Sequence, residues 1–188
     1  MVTGGESPPA RLAILTGEIG AGKTTAALAV TRLASERGLS VGGILSPARI
    51  DASGTKVGID ALDVATGERR VLATVGGDLV GPRVGAYAFD AASIAWGIER
   101  VQEAIAAGRE LVCVDELGRM EFERGEAFAP LIAVATSGAA RRMLAVVRLA
   151  HAEGLAARVG AVSARVFRVA ATPASRERVP ADLLDWML

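Results

Sequence analysis

At 188 residues the chain is long enough for one sizeable hydrophobic core and short for two independent domains. Hydrophobic residues make up 51% and charged residues 22%, which excludes an intrinsically disordered chain. Basic and acidic residues balance at 21 each, so no overall field draws the molecule to nucleic acid or an anionic membrane, and any anion site must be built locally.

Residues 1–10 contain Gly, Ser and two prolines but no basic region followed by an apolar stretch. They are expected to be a flexible tail, not a signal peptide, ahead of one domain over residues 11–188. Residues 12–15 form a short apolar run ended by Thr16-Gly17, and residues 22–37 carry apolar side chains at helical spacing before Gly38. This reads as strand, loop, helix. Residues 41–45 are a second buried-strand candidate. Between 46 and 75 the pattern becomes β-like, with Gly54, Gly58 and Gly67 separating short runs, and predicts a hairpin or small antiparallel β insert. Asp90 is placed to cap a helix that runs to about residue 107, with Gly108 as its stop. Residues 111–114 are fully apolar and end in Asp115-Glu116. A helix over about 125–137, strands near 143–147 and 166–170, and a terminal helix after Pro180 complete the pattern.

Apolar strands alternating with helices predict an α/β fold, a mostly parallel sheet with helices on both faces. Cys113, alone and inside an apolar run, cannot form an intramolecular disulfide and suits a reducing cytoplasmic setting. No uncharged apolar run approaches the roughly 20 residues of a membrane-spanning helix, so a soluble protein without a membrane partner is expected.

The segment Gly17-Glu18-Ile19-Gly20-Ala21-Gly22-Lys23-Thr24, followed by Thr25, fills the pattern G-x-x-x-x-G-K-[ST] between a predicted strand and a predicted helix. Glycines let successive backbone N–H groups face a phosphate chain, and the helix that starts at the loop adds its positive end. Lys23 can reach the β- and γ-phosphates, and the Thr24 hydroxyl can ligate Mg2+. The alternative, a glycine-rich turn that merely joins two elements, loses force because the chain carries 19 arginines and only two lysines, Lys23 and Lys56. A compact ammonium is kept where a planar guanidinium does not fit. The reading is a bound nucleoside triphosphate.

Asp115-Glu116 closes an apolar strand, which suits Asp115 to hold a water on the magnesium ion and Glu116 to orient or deprotonate an attacking water. By itself such a pair more often opens an exposed turn. The phosphate loop upstream reverses that preference. The spacing from Lys23 to Asp115 leaves room for an extra strand between the two motif-bearing strands, as in P-loop proteins of the catalytic-glutamate type.

The run Val114-Asp115-Glu116-Leu117-Gly118-Arg119-Met120-Glu121-Phe122, followed by Phe128, resembles the D-E-[IL]-G-[KR]-M-E signature of the small P-loop nucleoside-triphosphatase family first named from thermophiles. Gly43-Ile44-Leu45-Ser46-Pro47, Thr66-Gly67-Glu68 and Val84-Gly85-Ala86-Tyr87 are similar to that family's glycine-punctuated segment and V-G-x-Y element. The resemblance implies a compact P-loop α/β fold and hydrolysis of ATP, GTP and other nucleoside triphosphates with little base discrimination. The chain departs from the family at Glu18-Ile19, where Arg-Pro is common. It has Arg148, with His151 three residues on, where a histidine is expected, and Ser175-Arg176 in place of Asn-Arg.

Hydrolysis needs positive charge beside the developing transition state, and Arg119 and Arg148 are the candidates to supply it in cis. His151 reads as a sensor or, more readily, as a surface residue beside Glu153; Glu121 as an orienter of Arg119, a substrate contact or a helix cap. Three readings stand: a hydrolase using water, a phosphotransferase with its acceptor pocket built by residues 46–84, and a slow nucleotide-dependent switch. Oligomeric state is left open, and a monomer is compatible with the sequence.

Overall fold

The computed structural model describes residues 9–188; residues 1–8, most of the expected tail, lie outside them. In chain order the elements are β1 (Arg11–Thr16), α1 (Lys23–Glu36), β2 (Val41–Leu45), β3 (Ala48–Ile50), β4 (Lys56–Asp63), β5 (Arg69–Val75), β6 (Arg83–Val84), β7 (Tyr87–Phe89) and α2 (Ala91–Ala106). They continue with β8 (Leu111–Leu117), a π-helical turn (Met120–Arg124), α3 (Pro130–Ser137), β9 (Arg142–Val147), α4 (Leu149–Ala156), β10 (Ser163–Arg168) and α5 (Pro173–Met187).

All ten strands share one sheet in the order β10-β1-β9-β8-β2-β4-β5-β7-β6, with β3 paired to β4 off this path. The first five run parallel. β9 lies between β1 and β8, so an extra strand does separate the two motif-bearing strands, but it comes from residues after Asp115, and the stretch between Lys23 and Asp115 is taken up by β2, the insert and α2. Side chains of the four inner strands alternate between two cores, which is why these strands read as apolar runs, while the edge strand β10 carries Ser163, Arg165 and Arg168 on exposed positions. Leu12, Ile14, Val112 and Val114 join the core under α2, α3 and α4; Ala13, Leu15, Leu111 and Cys113 join the core under α1 and α5. Helices therefore cover both faces of the parallel half.

The remaining strands are antiparallel and extend the same sheet. This insert is larger than the 46–75 segment expected. β6 and β7 form a further hairpin that pairs with β5, and strands of two and three residues are too short to register as a periodicity. Its Ile59, Leu72 and Phe89 pack into the α2 side of the core, while Asp60 on β4 meets Arg49 at 3.3 Å and Arg69 at 3.8 Å.

The cap of α2 is as expected: the Asp90 carboxylate accepts from Ser93 N–H at 2.8 Å, and Gly108 has a left-handed φ of 65° past the helix end. Three other boundaries differ from the sequence expectation. The helix expected from 125 begins at Pro130, because Gly125, at φ 66°, ends the π-helical turn and proline favours the first helical position. α4 was not anticipated. α5 starts at Pro173, capped by Thr172, and carries Pro180 inside it, held by burial of Val179, Leu183, Leu184 and Met187. Among the described residues no helix is long and apolar enough to cross a membrane.

Candidate active site

The strand β1 ends at Thr16, whose hydroxyl donates to the Val147 carbonyl at 2.8 Å and ties the start of the phosphate loop to the end of β9. The loop then turns against the end of β10: a Cβ on Gly17 would lie 2.3 Å from the Val169 carbonyl oxygen. Gly22, at φ 92°, occupies the N-cap of α1 with no side-chain cap, and the first turn of α1 has no acidic residue. Its free N–H groups and positive end are thus left for an anion. Two arginines brace the loop from outside. Arg176 donates from Nε to the Ala21 carbonyl at 3.1 Å, and Arg168 pairs with Glu18 at 3.2 Å.

The loop borders a cavity of about 300 Å3 whose walls include Gly20, Gly22, Lys23, Thr24, Asp115, Glu116, Arg148 and Lys56. Lys23 Nζ donates to the Gly17 and Glu18 carbonyls at 3.0 and 2.9 Å, so the ammonium is held inside the curl of the loop. Burial lowers its pKa, and the Glu116, Asp115 and Glu18 carboxylates oppose that. Thr24 Oγ1 donates to Asp115 Oδ2 at 2.9 Å, which joins the two sequence motifs directly. Asp115 is buried and also accepts from the backbone N–H groups of Glu116 (2.7 Å) and Ser46 (3.1 Å). Burial pushes its pKa up, against the pull of those three donors.

Glu116 has a left-handed backbone, φ 66°, at the point where the pairing of β8 with β9 shifts register between Val114 and Leu117. Such strain in a non-glycine residue persists where surrounding structure over-determines it, and bulges re-aim side chains beside sites. Here the result is two adjacent carboxylates on the same cavity wall. Burial, and then the Asp115 charge, raise the Glu116 pKa to about 7; Lys56 and Arg148 act against the rise.

Arg148, at the end of β9, lies across Gly118, where a Cβ would be 3.1 Å from its Cγ. It also lines a second cavity of about 180 Å3 with Glu116, Lys56, Tyr87, Phe89 and Glu121. Arg119 does not line the phosphate-loop cavity, but it lines the smaller one with Glu116 and a neighbouring one of about 270 Å3 whose walls include Gly17, Glu18, Lys23, Arg148 and His151. It is exposed and paired with Glu123 at 3.3 Å. Glu121 does not orient it: this buried carboxylate accepts from Gly118 N–H at 2.8 Å and holds the turn after β8. His151 is not a surface partner of Glu153 but stacks on Phe122 at 4.7 Å, with Nε2 3.6 Å from Glu123. Ile19 is 84% exposed at the cavity mouth, Ala21 is buried beneath the loop, and Thr25 points outward. Lys56 was missed as a site residue. The lysine scarcity that singled out Lys23 applies equally to it.

Magnesium suits the donors present, a threonine hydroxyl and a carboxylate beside a phosphate cradle, since this ion takes few protein oxygens and completes its shell with water and phosphate. The Ser46 hydroxyl, buried next to Asp115, has no hydrogen-bond partner among the described residues and adds one more oxygen to that corner.

Over 110 residues the chain is 37% identical to the nucleoside-triphosphatase THEP1 of Methanopyrus kandleri, a match that covers 58% of this chain and 59% of that protein. It is 36% identical over 110 residues to the protein of the same name from Thermofilum pendens, with the same coverage. For the Methanosarcina barkeri protein the figures are 35% over 126 residues, 66% of this chain and 68% of that one. The chain thus spans about three fifths of the length of the first two of these curated relatives. The crystal structure of THEP1 from the hyperthermophile Aquifex aeolicus superposes with a TM-score of 0.66 over 94% of this chain and 98% of that one, at 19% identity, which establishes the shared P-loop NTPase fold. A family model described as NTPase matches residues 12–184, a stretch that takes in the phosphate loop, the antiparallel insert and the acidic pair, and the chain belongs to that family.

Proposed function

We propose that the chain hydrolyses nucleoside triphosphates, ATP and GTP among them, to the diphosphate and phosphate in a magnesium-dependent reaction. The observation that carries this reading is the 2.9 Å contact between Thr24 and Asp115 in the cavity that also holds Lys23 and Glu116. Residues 17–24 cradle the phosphates with backbone N–H groups, and Lys23 leaves the Gly17 and Glu18 carbonyls to meet the β- and γ-phosphates. Thr24 and Asp115 are the residues that would hold magnesium, which when bound would supply charge neutralisation at the phosphate oxygens. Glu116, with a pKa of about 7, is positioned and poised to accept a proton from the attacking water near neutral pH. Arg148 reaches the same cavity and stabilises charge on the transferred group. Arg119, paired with Glu123, lines the neighbouring cavity beside Lys23 and Arg148. The curated relatives' name supports hydrolysis as the reaction. The buried free thiol of Cys113 suits a reducing cytoplasm.

A phosphotransferase is the second reading, favoured by the cavity of about 180 Å3 on the insert side of Glu116, where an acceptor hydroxyl would replace water. Phosphate release from Mg-ATP and Mg-GTP by the purified chain, with Glu116→Gln and Lys23→Ala beside it, tests the assignment. Unchanged release in Glu116→Gln, while Lys23→Ala loses nucleotide, would remove Glu116 from its role. Release that depends on an added acceptor would favour transfer over hydrolysis.

A further inference from the structure

Only two of the 21 basic residues are lysines, and both line the phosphate-loop cavity. Lys23 belongs to the loop. Lys56 arrives from elsewhere, as the first residue of β4 in the antiparallel insert. Three observations set it apart from the surrounding arginines.

The pairing of β3 with β4 shifts register at this residue: Arg49 faces Gly58, but Ile50 faces Lys56. A bulge at a strand end re-aims the side chain it carries, and this one lines the cavity. Next, Lys56 Nζ lies 5.2 Å from the centroid of the Tyr87 ring, so a second insert strand supports the stem and head of the lysine. Finally, the ammonium has no hydrogen-bond or ion-pair partner among the described residues. Arg148, which lines the same two cavities, shares that freedom, whereas Arg119 is held by Glu123, Arg49 and Arg69 by Asp60, and Arg176 by the Ala21 carbonyl.

The sheet order decides where this charge stands. Glu116 is on β8, Arg148 ends β9 on one side of it, and Lys56 opens β4 beyond β2 on the other. Both cations share with Glu116 the phosphate-loop cavity and the smaller cavity behind it. A lysine suits this position because its compact ammonium on a four-carbon stem can follow a phosphoryl group as it moves in line.

We propose that Lys56 is a catalytic residue, its ammonium contacting the γ-phosphoryl oxygens from the side opposite Arg148 and stabilising the charge that develops there. The proposal rests on the hydrolase reading above. In that step a bond forms from the water oxygen to the γ-phosphorus while the bond to the bridging oxygen breaks. The water proton passes to Glu116, and the electron pair leaves with the nucleoside diphosphate. Lys56 exchanges no proton and acts by charge alone. The insert is then a working part of the active site and not only a cover for the sheet.

The test uses the full chain with Mg-ATP. Lys56→Met is expected to lower kcat about 100-fold with KM within threefold of the starting value, because the charge is felt chiefly in the transition state. Affinity for Mg-ADP stays level, while affinity for Mg-ADP with aluminium fluoride, which mimics the transferred group, falls by at least tenfold. Lys56→Cys should be as slow as Lys56→Met and recover at least a tenth of the starting kcat after alkylation with 2-bromoethylamine, which rebuilds an ammonium at that length. Cys113, fully buried, is shielded from the reagent. A kcat for Lys56→Met within tenfold of the unsubstituted protein overturns the proposal and leaves the hydrolase reading standing. Alkylated Lys56→Cys that binds Mg-ADP normally and stays slow also overturns it. Absence of phosphate release from the unsubstituted protein overturns both.

Discussion

The parallel half of the sheet and its antiparallel extension share hydrogen-bonded strands but not the same kind of surface. In the parallel half β1, β9, β8 and β2 are sandwiched between α1 and α5 on one face and α2, α3 and α4 on the other, so their sequences are apolar on both sides of the pleat. In the insert one face packs toward α2 through Ile59, Leu72 and Phe89, and the other carries charge, as in the Arg49–Asp60–Arg69 group. The first half builds the phosphate cradle and the acidic pair. The second is attached along β2 and delivers one cation and one wall of the cavity. The division teaches that doubly covered strands set the position of the phosphate loop and the acidic pair, while a half-covered extension brings a further charge to the same cavity.

The comparison can be pressed from the strongest effect downward. Lys23→Ala, in the parallel half, should lower kcat/KM by 10³ or more, about 4 kcal/mol of transition-state binding, measured by phosphate release and nucleotide titration. Glu116→Gln should lower kcat by about 10²–10³ and leave nucleotide affinity intact. With the carboxyl present, kcat/KM should rise with pH through an apparent pKa near 7; the substituted protein should lose that limb.

The same substitution should raise stability. The raised pKa means that the folded protein keeps a proton between about pH 4.5 and 7 that the unfolded chain releases. Stability therefore falls as pH rises through that window, by at most about 3 kcal/mol. Glu116→Gln removes this loss, so its melting temperature should exceed that of the parent at pH 8 and match it at pH 4.

Leu72→Ala probes the insert core. Leu72 is fully buried, and its truncation should cost about 2–5 kcal/mol in denaturant unfolding. Because the insert continues the main sheet, the loss should appear in one cooperative transition of the whole chain. Two separate transitions would show that the extension is an independent unit. The smallest effect is expected at Arg119: its alanine variant should change kcat less than threefold, since this exposed arginine is held by Glu123 outside the phosphate-loop cavity. A drop as large as that of Arg148→Ala would require Arg119 to swing into the site during turnover.

The phosphate loop, its strand and helix, the apolar strands and the Asp90 cap could all be read from the chain, because each depends on residues within one turn or one pleat of each other. The insert was read only in part. Its last hairpin, 83–89, is too short for a pattern, and its pairing with β5 is a long-range choice. Arg119 and Arg148 were singled out as cis charges from the signature and from a strand end; the structure puts Arg148 on the phosphate-loop cavity, while the turn after β8, held by Glu121, directs Arg119 to Glu123 beside a neighbouring cavity. His151 was misplaced for a related reason, since its stacking on Phe122 joins two elements that the sequence does not align.

The sequence by itself determined the chemistry of the cradle: a loop of glycines before Lys23 and Thr24, and two carboxylates closing an apolar strand, are local patterns whose physical demands leave few alternatives. Only the tertiary structure decided what surrounds the cradle. Placing β9 between β1 and β8 brings Arg148 to Glu116, and attaching the insert along β2 brings Lys56 to the other side. Both outcomes depend on strand order and register, which arise from the packing of whole elements against the two cores and carry no signature in neighbouring residues.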